Sequence, residues 1–240
     1  MEAALYPEMA RNEEVHWWWL ARRQILTRML QRLSLPKDAA ILEAGCGTGG
    51  NLEMLSHFGS LYGMELDDSA RAISISRGFG KIESGRMPDE IPFHGKQFDL
   101  ILLLDVLEHL DDDSGSLKGL YQRLKPGGWL LVTVPAFPFL WSQHDAAHHH
   151  KRRYRRKQLR ATVEQAGYEI RYCSYFNCVL FPLITSIRVW KNTFGGSDDL
   201  AVPSSPVNRT LQALFASERH VIGKMRLPFG VSLILTAQRV

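Results

Sequence analysis

The chain has 240 residues, 45% of them hydrophobic, and a net charge of +4 at pH 7. That suits a globular chain with a real core, in one α/β domain with elaborations or two small domains at most. Three scattered cysteines, Cys46, Cys173 and Cys178, exclude a disulfide framework and a zinc ribbon and fit a reducing cytosol.

The first thirty residues mix charge with tryptophan and do not read as a signal peptide. Residues 13–34 read as one helix. Val15, Trp18, Arg22, Ile25, Met29 and Leu33 recur at helical spacing, and Pro36 ends the run. Residues 39–44 form a short apolar strand that leads into a glycine loop, and a helix follows over 50–57. The next strand spans 60–65, a helix 69–77 and a weak strand 80–84, with 88–96 as loop. Residues 98–105 are the strongest strand. The unbroken run Leu100-Ile101-Leu102-Leu103-Leu104 suits a central parallel strand buried on both faces. A helix over 114–124, a turn over 125–128 and a strand over 129–134 complete the alternation, which argues for a mostly parallel sheet. After Pro135 the rhythm changes. A histidine-rich loop covers 138–151, a helix 156–166, a strand 168–175 and an apolar helix 181–193. A Gly/Ser/Pro/Asp linker over 195–206, a helix from 207 to about 223 and a last strand over 231–239 close the chain.

Charge is unevenly spread. Lys151 to Arg160 holds seven basic residues, and without them 22 basic residues face 25 acids, a balance of about −3. This run could meet an anionic substrate, a lipid headgroup or nucleic acid, or be a solvated helix start. The apolar stretch from Tyr172 to Trp190 contains Asn177, Pro182 and Arg188. It falls short of the roughly 20 clean residues of a spanning helix, which leaves an interfacial segment and peripheral membrane contact as its alternative use.

Gly45, Gly47 and Gly50 follow the first strand with G-x-G-x-x-G spacing. Glycines there let backbone approach a ligand, and the next helix N-terminus favours negative charge. Glu65 ends the second strand, where a carboxylate can accept both hydroxyls of a ribose. These features support a nucleoside and do not choose between a dinucleotide and another cofactor.

The surrounding residues make the choice. Glu43-Ala44-Gly45-Cys46-Gly47-Thr48-Gly49, Gly63-Met64-Glu65, Phe98-Asp99 through Asp105-Val106-Leu107-Glu108-His109, and Leu124-Lys125-Pro126-Gly127-Gly128 resemble, in order and spacing, the class I S-adenosylmethionine-dependent methyltransferase family. The resemblance covers about residues 39–135. Together with Glu14 to Trp19, the histidine-rich segment and Leu227 to Ser232, it extends to a bacterial subfamily of undefined substrate. It implies a Rossmann-like α/β/α sandwich with a mostly parallel seven-stranded sheet and an antiparallel last strand. It further implies one domain over 1–240, with a helical cap (1–36), a cofactor-binding core (37–135) and an acceptor side (136–240). By the same resemblance Gly45, Cys46 and Gly47 pass beneath the methionyl part of S-adenosyl-L-methionine, and Glu43 organises the loop and the cofactor's amino group. Glu65 takes the ribose, Leu66 flanks the adenine, and Asp105 and Val106 line the methionyl side. Where many relatives have an acid for the adenine amino group, this chain has Arg86, which leaves backbone contact at Met87. Related enzymes often use an N-terminal arginine for the cofactor's carboxylate, so Arg22 or Arg23 could serve. The competing reading leaves both arginines in solvent.

The acceptor side falls on Trp141 to Tyr154, with His144, Asp145, His148, His149, His150, Arg152 and Arg153. In one reading His144 or His150 removes a proton from an acceptor hydroxyl, Asp145 orients it, and Arg152 or Arg153 binds an anionic group. In another, His144, Asp145 and His148 ligate a metal, although no metal is expected overall. In the third the loop is structural and Asp145 pairs with Arg153. Glu108 and His109 read as an acidic helix start, with a direct role for His109 as the alternative. The expected function is transfer of a methyl group to O or N of a small-molecule or lipid- or glycan-linked acceptor, in the cytoplasm. The rivals are a nicotinamide oxidoreductase, for which Tyr121 and Lys125 have Tyr-x-x-x-Lys spacing, and a non-catalytic nucleic-acid-binding protein. No aromatic stacking platform accompanies the basic run, which disfavours nucleic acid.

Overall fold

The computed structural model describes residues 6–194 and 202–240. Seven strands form one sheet in the order β3-β2-β1-β4-β5-β7-β6. They are β1 (Ala40–Ala44), β2 (Ser60–Glu65), β3 (Lys81–Ser84), β4 (Phe98–Leu104), β5 (Leu124–Pro135), β6 (Tyr168–Phe176) and β7 (Ser232–Arg239). The first five are parallel neighbours, and β7 runs antiparallel to both β5 and β6. The expected Rossmann-like architecture with an antiparallel last strand is what the chain forms.

Strand β4 explains why the sheet has two covered faces. Leu100, Leu102 and Leu104 join one buried cluster with Ile25, Leu26, Leu52 and Phe215. Ile101 and Leu103 join the other with Leu117, Leu120, Leu159 and Val163. Successive side chains of a strand point to opposite faces, so an unbroken apolar run supplies both cores.

The helices are α1 (Tyr6–Val15), α2 (Trp17–Leu30), α3 (Leu52–Ser56), α4 (Asp68–Ser76), α5 (Asp113–Arg123), α6 (Gln143–Ala147), α7 (Arg156–Gln165), α8 (Phe181–Phe194) and α9 (Ser205–Ala216). Three expectations need correction. The single helix over 13–34 is two, because His16 is extended (φ −78°, ψ 135°) and its ring nitrogen caps α2 by accepting from the Trp18 amide. The turn over 125–128 lies inside β5 as an irregularity, where Phe98 pairs Leu124 but Leu100 pairs Trp129. The histidine-rich loop contains a 3₁₀ turn at Pro138–Leu140 and helix α6. The linker expected over 195–206 falls mostly on 195–201, outside the described residues, and α9 begins at Ser205.

Candidate active site

The carboxyl ends of β1, β2, β4 and β5 face a cavity of about 790 Å3. Its far walls come from α1, the Trp17-Trp18-Trp19 start of α2 and the segment His148 to Arg153. All nine residues expected to bind the cofactor line it: Glu43, Gly45, Cys46, Gly47, Glu65, Leu66, Met87, Asp105 and Val106.

The glycine loop is built by close approach. Gly45 has φ +81°, and a Cβ there would lie 2.7 Å from a Val106 methyl. The amides of Gly45 and Cys46 both donate to Met64 O, at 2.7 and 3.0 Å. Glu65 then closes the loop from β2, with Oε2 accepting from the Gly47 amide and Oε1 from the Asp67 amide, both at 2.9 Å. Gly50 is needed for a different reason, since a Cβ there would meet the Glu13 carboxylate of α1 at 2.4 Å. Buried Glu13 accepts from Thr48 Oγ1 (2.7 Å) and pairs with Arg77 (3.1 Å). This contact, which pins α1 onto the loop, has no sequence signal beyond an acid in a helix.

Arg22 points inward. Its guanidinium is 2.7 Å from Asp105, donates to Thr133 Oγ1 (2.8 Å) and lies over the Trp18 ring (5.1 Å). Arg23 donates to the carbonyls of Glu13 (2.7 Å) and Gly50 (3.2 Å). The reading that leaves both arginines in solvent is therefore corrected: Arg22 is 3% exposed and lines the cavity.

Glu43 is fully buried at the end of β1, with Oε1 accepting from Asn51 Nδ2 (2.8 Å). Burial pushes its carboxyl up to about 8. Glu108 is also fully buried, and burial, then the Asp105 charge, hold its carboxyl well above the usual range. It is not a solvated acid at a helix start, because it lies wholly buried inside the 3₁₀ turn Leu107–His109, where its carbonyl accepts from the Lys151 amide (2.8 Å). Among the described residues nine buried side-chain atoms lack a hydrogen-bond partner. Seven of them belong to five cavity-lining residues: Arg22, Glu43, Asn51, Glu108 and Asn177. Buried polar groups are normally paired, so their concentration here marks a ligand's place. Asn177, at φ +57° after β6, carried no sequence motif.

The histidine segment is folded against this cavity. Asp145 is wholly buried and accepts from Arg153 Nε (2.8 Å) and Nη2 (2.9 Å), and from the Ser142 amide (2.9 Å). Its Oδ1 also lies 2.8 Å from His150 Nδ1. Hydrogen bonds from His150 and Arg153 overcome burial and hold Asp145 well below the usual carboxylate range. The expected Asp145–Arg153 pair and the expected Asp145–His150 pair thus coexist. Arg153 spends its third donor on Ala136 O (3.1 Å), and Arg152 pairs with Asp113 (3.0 Å) and donates to Leu110 O (2.9 Å). Neither is placed as the anion-binding arginine that the sequence suggested. The His144 side chain lies outside the described residues.

His109 and His148 line the same wall, and burial, then nearby histidine charge, lowers each to about 4. The His109 ring meets His150 edge-on at 4.7 Å. The metal set of His144, Asp145 and His148 is corrected, because the Asp145 carboxylate is taken by Arg153 and His150. The group that does converge is Glu108, His109 and His150, with one nitrogen or oxygen each within 4.8 Å of the others. The Tyr121 and Lys125 pair lies elsewhere, with Tyr121 donating to Val240 O (2.8 Å) and Lys125 paired with Asp99 (2.8 Å) near the start of β4.

A profile described as a methyltransferase domain matches residues 18–172. A probable S-adenosylmethionine-dependent methyltransferase of Mycolicibacterium smegmatis is 25% identical over 158 residues, which are 64% of this chain and 60% of that protein. The chain thus spans 60% of that relative's length. The ubiquinone biosynthesis O-methyltransferase of Pseudomonas entomophila is 25% identical over 59% of this chain and 68% of its own. Phosphoethanolamine N-methyltransferase 2 of Haemonchus contortus, solved with S-adenosyl-L-methionine, has the same fold at 18% identity (TM-score 0.58), over 90% of this chain and 52% of that one.

Proposed function

Because the chain belongs to the S-adenosylmethionine-dependent methyltransferase family, we propose that it methylates an oxygen of a small-molecule or lipid- or glycan-linked acceptor, with His150 as the base. The observation that carries the base is the Asp145–His150 contact of 2.8 Å on the cavity wall. The cofactor supplies a methyl group on a positively charged sulfur, which leaves as a neutral thioether when the acceptor attacks.

The residues present fit that cofactor. Gly45 leaves no room for a side chain, Glu43 Oε2 and Arg22 Nε are buried without partners, and Glu65 stands at the end of β2. Glu43 would face the amino group, Arg22 the carboxylate and Glu65 the ribose. Gly45, Cys46 and Gly47 would floor the methionyl part, beside Asp105 and Val106, with Leu66 and Met87 at the adenine.

Displacement at a sulfonium needs alignment in a dry cleft, and a base only where the acceptor carries a proton that must leave. Asp145 accepts from His150 Nδ1, which leaves the lone pair on Nε2. That nitrogen would take the hydroxyl proton as the O–C bond forms and the S–C bond breaks. Asp145, itself gripped by Arg153, positions the ring and balances the imidazolium. We read residues 1–240 as one domain acting in the cytoplasm, where Cys46, Cys173 and Cys178, all thiols here, stay reduced.

The test is transfer of label from methyl-tritiated donor to a panel of phenolic, catecholic and lipid-linked hydroxyl acceptors. His150→Ala should cut transfer by about a hundredfold to ten-thousandfold while calorimetric binding of S-adenosylhomocysteine persists. Unchanged transfer in that variant removes the base. Loss of transfer on EDTA treatment, restored by a divalent cation, would reassign Glu108, His109 and His150 to metal binding. Binding of NADH without S-adenosylmethionine would overturn the activity.

A further inference from the structure

Helix α8 presents two working faces. Ile184 and Arg188, one turn apart, line the cavity. Leu183, Ile187 and Trp190 follow i, i+4, i+7 spacing on the neighbouring stripe, about 100° round the helix, and are 51%, 45% and 59% exposed. Val179 precedes them at 51%. Phe139, 60% exposed, sits on the 3₁₀ turn joined to α8 by the Arg188–Leu140 O hydrogen bond (3.0 Å). Phe137 ties the region together, 5.2 Å from Phe139 and 5.7 Å from Phe181. Exposed apolar residues scattered singly are ordinary, but a continuous row marks an interaction surface.

The start of α7 is cationic. Within the basic run, Lys151, Arg152, Arg153 and Arg160 are neutralised by the chain's own acids. Arg155 and Lys157, at the start of α7, are exposed and form no ion pair among the described residues. Their neighbour Arg156 lies over the Tyr175 ring (5.8 Å), which stacks on Phe137 (4.8 Å). Through Arg156 the start of α7, which carries Arg155 and Lys157, borders the aromatic cluster.

An apolar row edged by unspent cations fits an anionic bilayer better than a protein groove. We propose that this face docks on an anionic membrane, with Leu183, Ile187 and Phe139 entering the headgroup region and Arg155 and Lys157 meeting lipid phosphates. Among the described residues no helix is long and apolar enough to cross a membrane, so contact is from one side. A lipid-linked acceptor would then reach the cavity along α8, a corollary that rests on the methyl-transfer reading, whereas the docking does not.

Flotation of the full chain tests it, using vesicles of phosphatidylcholine alone or with phosphatidylglycerol, at low and high salt. Wild type should move with the anionic vesicles, less so at high salt. Leu183→Glu/Ile187→Glu and, separately, Arg155→Glu/Lys157→Glu should each lower the bound fraction at least about tenfold, with far-UV circular dichroism unchanged. No co-migration of wild type, or equal binding by both folded variants, overturns the proposal. So does a dimer that light scattering detects and the Leu183→Glu/Ile187→Glu variant abolishes, which gives the face to a second copy. Flotation by a wild type that binds no S-adenosylhomocysteine supports docking and sinks the methyl-transfer reading instead.

Discussion

Glu43 shows how one side chain can report on the whole site. Its buried carboxyl sits at about 8, above the ordinary 4.5, because burial outweighs the Asn51 hydrogen bond and the Arg22 charge. A raised acid keeps its proton in the folded state, so its contribution to stability is complete below 4.5 and is lost as the pH rises through about 8. The ligand-free protein should weaken over that window, and Glu43→Gln should flatten the dependence in urea titrations at several pH values. An ammonium group facing Glu43, as proposed for the cofactor, would lower its pKa. Calorimetry at pH 7 in buffers of different ionisation enthalpy should therefore detect proton release on S-adenosylmethionine binding, absent in Glu43→Gln. Asp145 makes the opposite case. It is ionised and buried between Arg153 and His150, so Asp145→Asn strands a buried guanidinium. The expected loss is about 3–5 kcal/mol in urea unfolding, together with reduced methyl transfer because His150 loses its orienting partner. Both residues were legible as candidates from the sequence. What was not legible was that Asp145 serves two partners, since an eight-residue separation fixes no side-chain geometry.

Among the elements, α2 departs furthest from expectation. Its apolar spacing identified a helix, but nothing in the pattern said that His16 would end one helix and cap the next. Arg22 stood in that stripe, but the pattern did not say that its guanidinium would meet Asp105 and Thr133, nor that Arg23 would turn to the glycine loop. The outcome follows from packing. Ile25, Leu26, Met29 and Leu30 are buried in the sheet-facing cluster, and Arg22, one turn before Leu26, is carried inward with them. Arg22→Ala should weaken S-adenosylhomocysteine binding at least about tenfold, the worth of a charge-assisted hydrogen bond. Arg23→Ala, which removes contacts to Glu13 O and Gly50 O, should act mainly on thermal stability. Equal affinities for the two variants in calorimetry would remove the cofactor role of Arg22.

At the scale of the molecule, one cavity gathers residues from positions 6 to 232. The sheet order makes this possible, because the parallel strands point their carboxyl ends to one side and ligands bind in that crevice. The antiparallel β7 then brings Ser232 beside Pro135, and β6 returns Asn177 to the same edge. α9, far along the chain, packs on α2 through Phe215 and the Trp17 ring (6.1 Å), so the N-terminal cap is held by the C-terminal third.

By itself the sequence determined the strands, the glycine loop and the acid Glu65 at the end of β2; the cofactor followed from the family resemblance of the surrounding residues. These are local: a run of apolar residues, a backbone that must bend, an acid at a strand end. It also singled out the histidine segment. Only the tertiary structure decided which of those histidines meets Asp145 and that Arg152 and Arg153 are spent internally. It alone placed Glu13, Glu108 and Asn177 as buried groups facing one cavity. Those facts depend on side chains from distant segments meeting in a low-dielectric interior, where burial and pairing set charge and reach, and chain spacing carries no record of either.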